Sequence, residues 1–142
     1  MDTAHIVGQF PITIHKPEKY FVERFCFVDC RGFIEIPASF ECGYGVKFIT
    51  ASHDISDGRM GVMNLRAVLI KENVWVASFA ILYNCLIENN VIVSTGSVIS
   101  GARIPPYSMV QGNPGMIIAQ YNAETRRWIP CDPIKPERWS DR

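Results

Sequence analysis

Histidine is the residue type in this sequence best suited to proton transfer near pH 7, and the chain has three. His5 and His15 fall in an irregular N-terminal stretch, whereas His53 stands in Ser52-His53-Asp54, where a long loop begins. A neutral imidazole can take the proton of an attacking nucleophile in the transition state. Asp54 is a poor orienting partner, because adjacent strand residues point to opposite faces. His53 is therefore the candidate general base; the alternative is a loop histidine without a catalytic role.

The cysteines do not indicate a second kind of chemistry. Their count, five, is odd, and the chain has no Cys-x-x-Cys pair. Thiols in this pattern are expected to stay reduced and to pack as small hydrophobic side chains, rather than to form disulfides or bind zinc. The sequence therefore predicts no metal ion. The five residues are Cys26, Cys30, Cys42, Cys85 and Cys131.

Length, composition and charge limit the class of protein. A chain of 142 residues with 48% hydrophobic and 20% charged residues is expected to fold as one domain. Fourteen basic residues balance fourteen acidic ones, which argues against a nucleic-acid partner. The most apolar stretch, residues 74–82, is half the length of a membrane helix, and the N-terminus lacks the pattern of a secretory signal. We therefore expect no membrane span and a cytoplasmic location.

The apolar residues that would position His53 recur every six residues. From Ile70 the units are IKENVW, VASFAI, LYNCL, IENNVI, VSTGSV and ISGARI, and each opens with Ile, Val or Leu. Units led by Cys30, Ile36, Cys42 and Phe48 keep the same period upstream. The third unit, LYNCL, has only five residues, which predicts either a tighter corner or a change of phase in the next coil.

A six-residue period is typical of a parallel β-helix, in which short strands and turns form the sides of stacked coils. The first residue of each unit, which we call its leader, would point inward. Turn-forming residues such as Glu72-Asn73 fall between the leaders. Three sides make a coil of about eighteen residues, so the predicted fold is all-β, with about four coils. The alternative is a β-sandwich, which would be expected to show Asn-Gly hairpin turns that this sequence lacks.

Stacking of the coils suggests a partner for the candidate base. Residues one coil apart lie above one another, and Glu35 precedes His53 by eighteen residues. We predict that the Glu35 carboxylate holds the imidazole tautomer and stabilises its charged form. The alternative is a solvated turn residue.

A prism of this kind is expected to need a neighbouring subunit. Its interior is filled by side chains, so reacting groups must lie outside, and a single convex surface cannot exclude water or surround two substrates. Apolar residues at predicted outward positions fit an interface between copies. Examples are Phe33, Phe79, Ile81 and Tyr83.

Several short motifs follow one another in a fixed order along the repeats. They are Asn73-Val74-Trp75, Gly96-Ser97-Val98, Ile104-Pro105-Pro106-Tyr107-Ser108 and Gly112-Asn113-Pro114, with Ser52-His53-Asp54 placed 22 residues before Trp75. This set lies between about Phe27 and Ile118. It resembles the left-handed β-helix, hexapeptide-repeat acyltransferases, especially sugar O-acetyltransferases similar to the galactoside, maltose and colanic-acid enzymes. The resemblance implies a left-handed coil, against the usual right-handed rule for parallel crossovers.

The resemblance also implies an activity and an assembly. It implies a homotrimer with three sites between subunits, which moves an acetyl group from acetyl-CoA to a sugar hydroxyl in a direct ternary complex. His53 matches the family's catalytic histidine. The backbone N–H of Ser78, three residues after Trp75, would stabilise the oxyanion. Asp29 aligns with an acidic position that touches the sugar hydroxyls.

By the same resemblance, acyl-CoA would lie along the C-terminal coils. Trp75 would lie beside its pantetheine; the alternative is ordinary packing of this side chain at the end of a hexad. The full set of expected cofactor contacts is Trp75, Ala77, Ser78, Thr95, Gly96, Ser100 and Arg103.

The sequence departs from the family where CoA phosphates are usually met. Similar enzymes carry Lys or Arg at positions that are Gly101, Met116 and Ala119 here. Arg103, or Arg126 and Arg127 of the tail, are the candidate replacements.

Three segments are predicted. Residues 1–20 would cap the open end of the core, residues 21–118 would form the β-helix, and residues 119–142 would form a tail. The tail shows no hexads and is predicted to contain a short helix over residues 123–128, followed by extended chain.

The leading function is thus acetyl-CoA-dependent O-acetylation of a sugar or glycoconjugate. A catalytically silent β-helix that serves in binding or assembly is the second interpretation, because the usual cationic residues are missing. Transfer to an amino sugar also stays open, since the same base would serve. The zinc-dependent carbonic anhydrase built on a similar prism is disfavoured, because it needs three converging histidines.

Overall fold

A computed structural model of the protein describes residues 5–7, 13–14 and 23–140, and strands are the regular element of these residues. In chain order they are β1 His5–Val7, β2 Thr13–Ile14, β3 Phe27–Asp29, β4 Phe33–Ile36, β5 Glu41–Cys42, β6 Lys47–Ile49, β7 Ala51–His53, β8 Met63–Leu65, β9 Ala67–Ile70, β10 Trp75–Val76, β11 Ile81–Tyr83, β12 Cys85–Ile87, β13 Ile92–Val93, β14 Val98–Ser100, β15 Ala102–Ile104, β16 Ser108–Gln111, β17 Met116–Asn122, β18 Arg127–Ile134 and β19 Glu137–Arg138. Within the described ranges no helix is long and apolar enough to cross a membrane.

The strands form the three walls of a left-handed parallel β-helix, as predicted. The first wall contains β1, β3, β6, β11 and β14; the second contains β2, β4, β9, β12 and β15; the third contains β5, β10, β13 and β16. Neighbouring strands within these sets pair in parallel. We name the turns between walls the first corner (first to second wall), the second corner (second to third) and the third corner (third to first).

From β9 onward, successive coils are one residue shorter than the sequence predicts. Trp75 pairs with Ile92, and Ile92 pairs with Met109, so each strand pairs one position earlier than three full hexads would place it. The difference arises at the first corner, where the five-residue unit brings the buried leaders Leu82 and Ile87 closer along the chain. Of the two predicted effects of this unit, the structure shows a tighter corner.

The leaders of the hexads form the core. Ile70, Val76, Leu82, Val93 and Ile99 are each at most 1% exposed. Since each leader starts or lies within a short strand, alternation directs it inward and its neighbours outward. Cys26, Cys30 and Cys85 are buried in this core, and Cys42 and Cys131 pack against it, so the prediction of core-packing thiols is confirmed.

Each corner turns through residues in the left-handed region of backbone conformation. At the second corner these are Asn73, Asn90 and Tyr107, with φ of 54°, 59° and 58°. At the first corner they are Asn84 and Gly101, with φ of 45° and 60°. Gly and Asn adopt this conformation at the lowest cost, which explains their placement between the strands.

An insertion leaves the second coil at the first corner. The strands β7 and β8 pair antiparallel outside the walls, and Arg66 N donates to Thr50 O at 2.7 Å where the chain returns. Because the insertion lengthens this coil, the next strand to stack on Lys47 of the first wall is the one that contains Ile81. The loop predicted after His53 thus exists as the tip of a hairpin.

The predicted helix over residues 123–128 is wrong. Strand β17 crosses the predicted boundary at residue 118 and pairs antiparallel with β16, and β18 pairs antiparallel with β17. The turn between them is held by Asn122, whose Oδ1 accepts from the N–H groups of Glu124 and Thr125. Because the edge of the third wall offers unpaired backbone groups, the tail adds strands there instead of coiling.

The described parts of the predicted N-terminal cap continue two walls. The strand β1 pairs with β3, and β2 pairs with β4. The rest of residues 1–20, including His15, lies outside the described residues.

Asp29 does not fit a sugar-binding role, because its side chain is 1% exposed. Its carboxylate accepts from Arg31 Nε at 2.8 Å and Nη2 at 3.0 Å, and from Thr50 N at 3.3 Å. Burial raises the pKa of Asp29, but the hydrogen bonds from Arg31 and Thr50 outweigh it and hold the pKa below its usual 3.8. Asp29 stabilises the first corner of the β-helix through these hydrogen bonds.

We predict that Arg31→Gln destabilises the protein. The change leaves a buried carboxylate without its cation, and we expect a loss of about 1–2 kcal/mol in the free energy of unfolding at pH 7, since Arg31 itself is partly solvated. Denaturant unfolding measures it. The control is Arg59→Gln, whose pair with Asp57 is exposed on both sides, and no measurable change is expected.

The stability that Asp29 contributes should depend on pH. A carboxyl with a lowered folded-state pKa contributes stability above its unfolded value of about 3.8, and this contribution is lost as the pH falls through the folded value. The wild-type protein should therefore lose more stability between pH 5 and pH 2 than Asp29→Asn does; equal losses would contradict the assignment.

Candidate active site

The hairpin at the first corner carries His53 out of the prism. His53 pairs with Met63 across the hairpin, and Asp54 N donates to Val62 O at 2.9 Å. The hydroxyl of Tyr83, on the first wall, donates to Ser52 Oγ at 2.7 Å. The imidazole is thus exposed but held by a hairpin that is anchored to the coils.

A backbone carbonyl sets the tautomer of His53. The Nδ1 atom lies 3.0 Å from Gly61 O, in a hydrogen-bonding geometry. A carbonyl oxygen can only accept, so in the neutral imidazole Nδ1 carries the proton and Nε2 keeps its lone pair. Gly61 is itself fixed, because its N–H donates to Asp54 O at 2.6 Å. The arrangement can accept a proton at an exposed nitrogen. The role of Gly61 could not be found from the sequence, because a backbone carbonyl has no sequence signal.

Asp54 stabilises the loop and not the imidazole. Its Oδ1 accepts from Ser56 N at 2.8 Å. Hydrogen bonds from Ser56 hold the pKa of the Asp54 carboxyl below its usual value. This agrees with the expectation that Asp54 would be a poor orienting partner.

The predicted stacking of Glu35 beneath His53 is wrong. Glu35 pairs with Leu69 in the second wall, and its Oε1 lies 3.6 Å from Lys71 Nζ. The insertion leaves the walls at the first corner, before His53 can reach the second wall, so Leu69 takes the position that was predicted for His53. The orienting role predicted for Glu35 belongs to the Gly61 carbonyl in this structure.

The expected acyl-CoA contacts divide between two parts of the prism. Trp75, half exposed, begins a strand of the third wall, and the third corner follows it along the chain. At this corner Ser78 N–H has no hydrogen-bond partner among the described residues, and Ser78 O accepts from Gly96 N of the next coil at 2.9 Å. The contacts brought together along this edge are Trp75, Ala77, Ser78, Thr95 and Gly96.

Close packing supports the Ser78 amide. A Cβ atom on Gly43 would lie 2.6 Å from Ser78 N and 2.5 Å from Ser78 Oγ, so only glycine fits there. Tyr44 N donates to that Oγ at 3.1 Å. The neighbouring coil therefore fixes Ser78 from one side.

Two expected contacts lie elsewhere. Ser100 is exposed at the first corner. Arg103 lies on the second wall, where its Nε contacts Glu88 Oε1 at 3.1 Å and its Nη1 contacts Glu137 Oε2 at 3.5 Å. Since both carboxylates neutralise it, Arg103 is not a free replacement for the missing phosphate-binding cations. Arg126 and Arg127 lie at the exposed turn of the tail hairpin.

One chain does not assemble the predicted site. The first corner, which carries His53, is opposite the third wall in a three-sided coil, whereas Ser78 follows that wall. The base and the oxyanion-binding amide of the predicted site therefore stand on different sides of the prism. Within one chain they do not come together.

No protein-family model matches the chain. Over 70 residues, or 49% of this chain, it is 36% identical to an Escherichia coli protein, WbbJ, named for O-acetyl transfer in lipopolysaccharide biosynthesis. The match covers 35% of that protein, so the chain spans about a third of the curated relative.

Solved structures share the fold. A maltose O-acetyltransferase from Clostridium difficile superposes with a TM-score of 0.64 at 24% identity, over 84% of this chain and 60% of that one. A hexapeptide-repeat acetyltransferase from Vibrio cholerae, complexed with acetyl-CoA, gives 0.71 at 22% identity, over 82% and 64%. A galactoside acetyltransferase in complex with coenzyme A gives 0.53 at 17% identity, over 94% and 72%.

At these identities the solved structures establish the architecture, while the shorter match adds a sequence relationship in part of the chain. The chain therefore has the left-handed parallel β-helix fold of the hexapeptide-repeat acetyltransferases, and it resembles their sugar O-acetyltransferases.

Proposed function

We propose that this protein transfers an acetyl group from acetyl-CoA to a hydroxyl of a sugar or glycoconjugate. The observation that carries the proposal is the hydrogen bond between His53 Nδ1 and Gly61 O, which places the lone pair of the neutral imidazole on Nε2, on an exposed hairpin. The likeness to proteins named as sugar O-acetyltransferases supports the choice of substrate class.

The chemistry would proceed in one ternary complex. His53 Nε2 takes the proton of the acceptor hydroxyl while its oxygen forms a bond to the thioester carbonyl carbon. The carbonyl oxygen becomes an oxyanion, which the free N–H of Ser78 would meet. Collapse breaks the carbon–sulfur bond, and the imidazolium returns the proton to the thiolate, so that the acetyl ester and CoA leave.

The active assembly in this proposal is a homotrimer of parallel prisms. Its support is the placement of His53 and Ser78 on different sides of one chain, which requires a second copy. Large apolar side chains that water reaches are concentrated on the hairpin and around the third corner. They include Ile55, Met60 and Val62 on the hairpin, and Phe25, Tyr44 and Phe79 at the corner.

The proposed general base predicts one tautomer of His53. At a pH where the imidazole is neutral, ¹⁵N NMR correlation spectra should show His53 protonated at Nδ1, because Gly61 O accepts that proton. The His53→Gln variant identifies the signal by its loss. A spectrum with the proton on Nε2 would remove the observation on which the proposal rests.

The proposed general base also predicts how turnover depends on His53. Because the general base is lost, His53→Ala should lower acceptor-dependent thiol release from acetyl-CoA by roughly 10²- to 10⁴-fold. The exposed side chain makes no core contact, so circular dichroism and subunit mass should be unchanged. Arg59→Gln on the same hairpin is the matched control and should keep full activity.

Acceptors in this assay should include neutral sugars and amino sugars. Release with amino sugars alone would redirect the proposal to N-acetylation. Failure of the wild-type protein to bind acetyl-CoA by calorimetry at millimolar ligand would favour the silent binding or assembly subunit instead.

The proposed trimer predicts that each active site takes residues from two copies. Homotrimers of His53→Ala and of Trp75→Ala should both be inactive, whereas trimers assembled from an equal mixture should recover about a quarter of wild-type sites, because each site draws one residue from each copy. Active mixed trimers are measured by thiol release after co-expression. No recovery would place His53 and Trp75 in the same copy's site.

A further inference from the structure

A groove of about 830 Å³ lies at the C-terminal end of the first corner. One side is the corner itself, including Asn84 and Gly101, and the other is the last described part of the tail. The tail is pinned there because β19 pairs antiparallel with β15 and Trp139 N donates to Gly101 O at 2.9 Å. The volume is in the range of small-molecule sites.

The groove concentrates positive charge in a chain of zero net charge. Arg66, Lys135 and Arg138 line it, and its described lining includes no carboxylate. Alternation along β19 explains why this strand gives the groove a cation and no carboxylate. Glu137 contacts Arg103 Nη1, and the adjacent Arg138 faces the groove. None of the three lining cations has an ion pair among the described residues.

An unpartnered amide in the same groove is a second, independent indication of a ligand. Asn84 is 9% exposed, and its Oδ1 is buried without a hydrogen-bond partner among the described residues. A buried acceptor in this state carries a desolvation cost unless a donor reaches it. Gly101 stands in the next coil, so no side chain covers the amide from that position.

We propose that this groove binds the phosphate groups of a nucleotide, with Arg66, Lys135 and Arg138 meeting the phosphates and Asn84 Oδ1 accepting from an amino or hydroxyl group of the same molecule. Trp139, which lines the groove, offers a surface for the base. Cations from the tail and the hairpin base thus occupy the groove beside Gly101 and Met116.

Two nucleotides share this chemistry. One is the nucleotide end of acyl-CoA, in which case the inference rests on the proposed function. The other is a nucleoside diphosphate that carries an acceptor sugar.

Calorimetry separates them without turnover. The probes are coenzyme A, adenosine 3′,5′-bisphosphate and thymidine diphosphate, each titrated into the wild-type protein and into Lys135→Ala/Arg138→Ala. The double variant should bind at least one probe tenfold or more weakly, because charge-assisted hydrogen bonds are lost. The matched control, Arg126→Ala/Arg127→Ala, removes the same charge at the turn of the tail hairpin and should leave the Kd unchanged.

A second variant guards against a structural effect on the tail. Glycine tolerates the φ of 45° at position 84, so Asn84→Gly removes the acceptor without disturbing the tail strand. It should weaken the same probe several-fold at unchanged thermal stability.

Weakened binding of coenzyme A and the bisphosphate assigns the groove to the acyl donor, and weakened binding of thymidine diphosphate alone assigns it to the acceptor. Equal Kd values for every probe in all variants would overturn the proposal. A groove that binds phosphates in a protein without His53-dependent turnover would instead refute only the proposed function.

Discussion

The parallel hydrogen bonds between the strands of stacked coils are the constraint on which the rest of this structure depends. Each strand inside a wall is paired on both sides, and its inward residue is buried. Adding one residue to a wall would turn the buried side chain outward. Insertions and deletions of residues are therefore confined to the corners and the ends of the β-helix. The hairpin, the shortened units and the tail all occur there.

This confinement explains where chemistry can be placed. The interior is filled by leaders such as Leu82 and Ile87, so functional groups must stand outside, at corners that are free to vary. The first corner carries the His53 hairpin and, further along, the cationic groove. The third corner offers mainly backbone, including the Ser78 N–H, for which the described part of the chain supplies no hydrogen-bond partner. An enzyme built in this way would place its base on one copy and its oxyanion contact on another.

The third corner also shows the cost of turning. Phe79 has a φ of 64°, a left-handed conformation that costs a bulky residue roughly 1–2 kcal/mol. A Cβ on Gly45 would lie 2.6 Å from its ring, so the glycine of the preceding coil makes room for the aromatic side chain. The exposed ring of Phe79 is therefore held in place at a strained position, beside the edge to which the proposed site belongs.

The sequence by itself determined the fold class, the inward leaders and the position of His53 at the start of a long loop, because a six-residue period and turn residues act locally and repeat. It did not determine the coil length, the strands of the tail or the partner of His53. Glu35 was misplaced because the inserted hairpin removes His53 from the second wall, where Leu69 pairs with Glu35 instead. The tail forms strands because the third wall, once assembled, presents an unpaired edge. The Gly61 carbonyl and the groove cations come together through backbone hydrogen bonds between distant segments, and such contacts exist only in the folded chain.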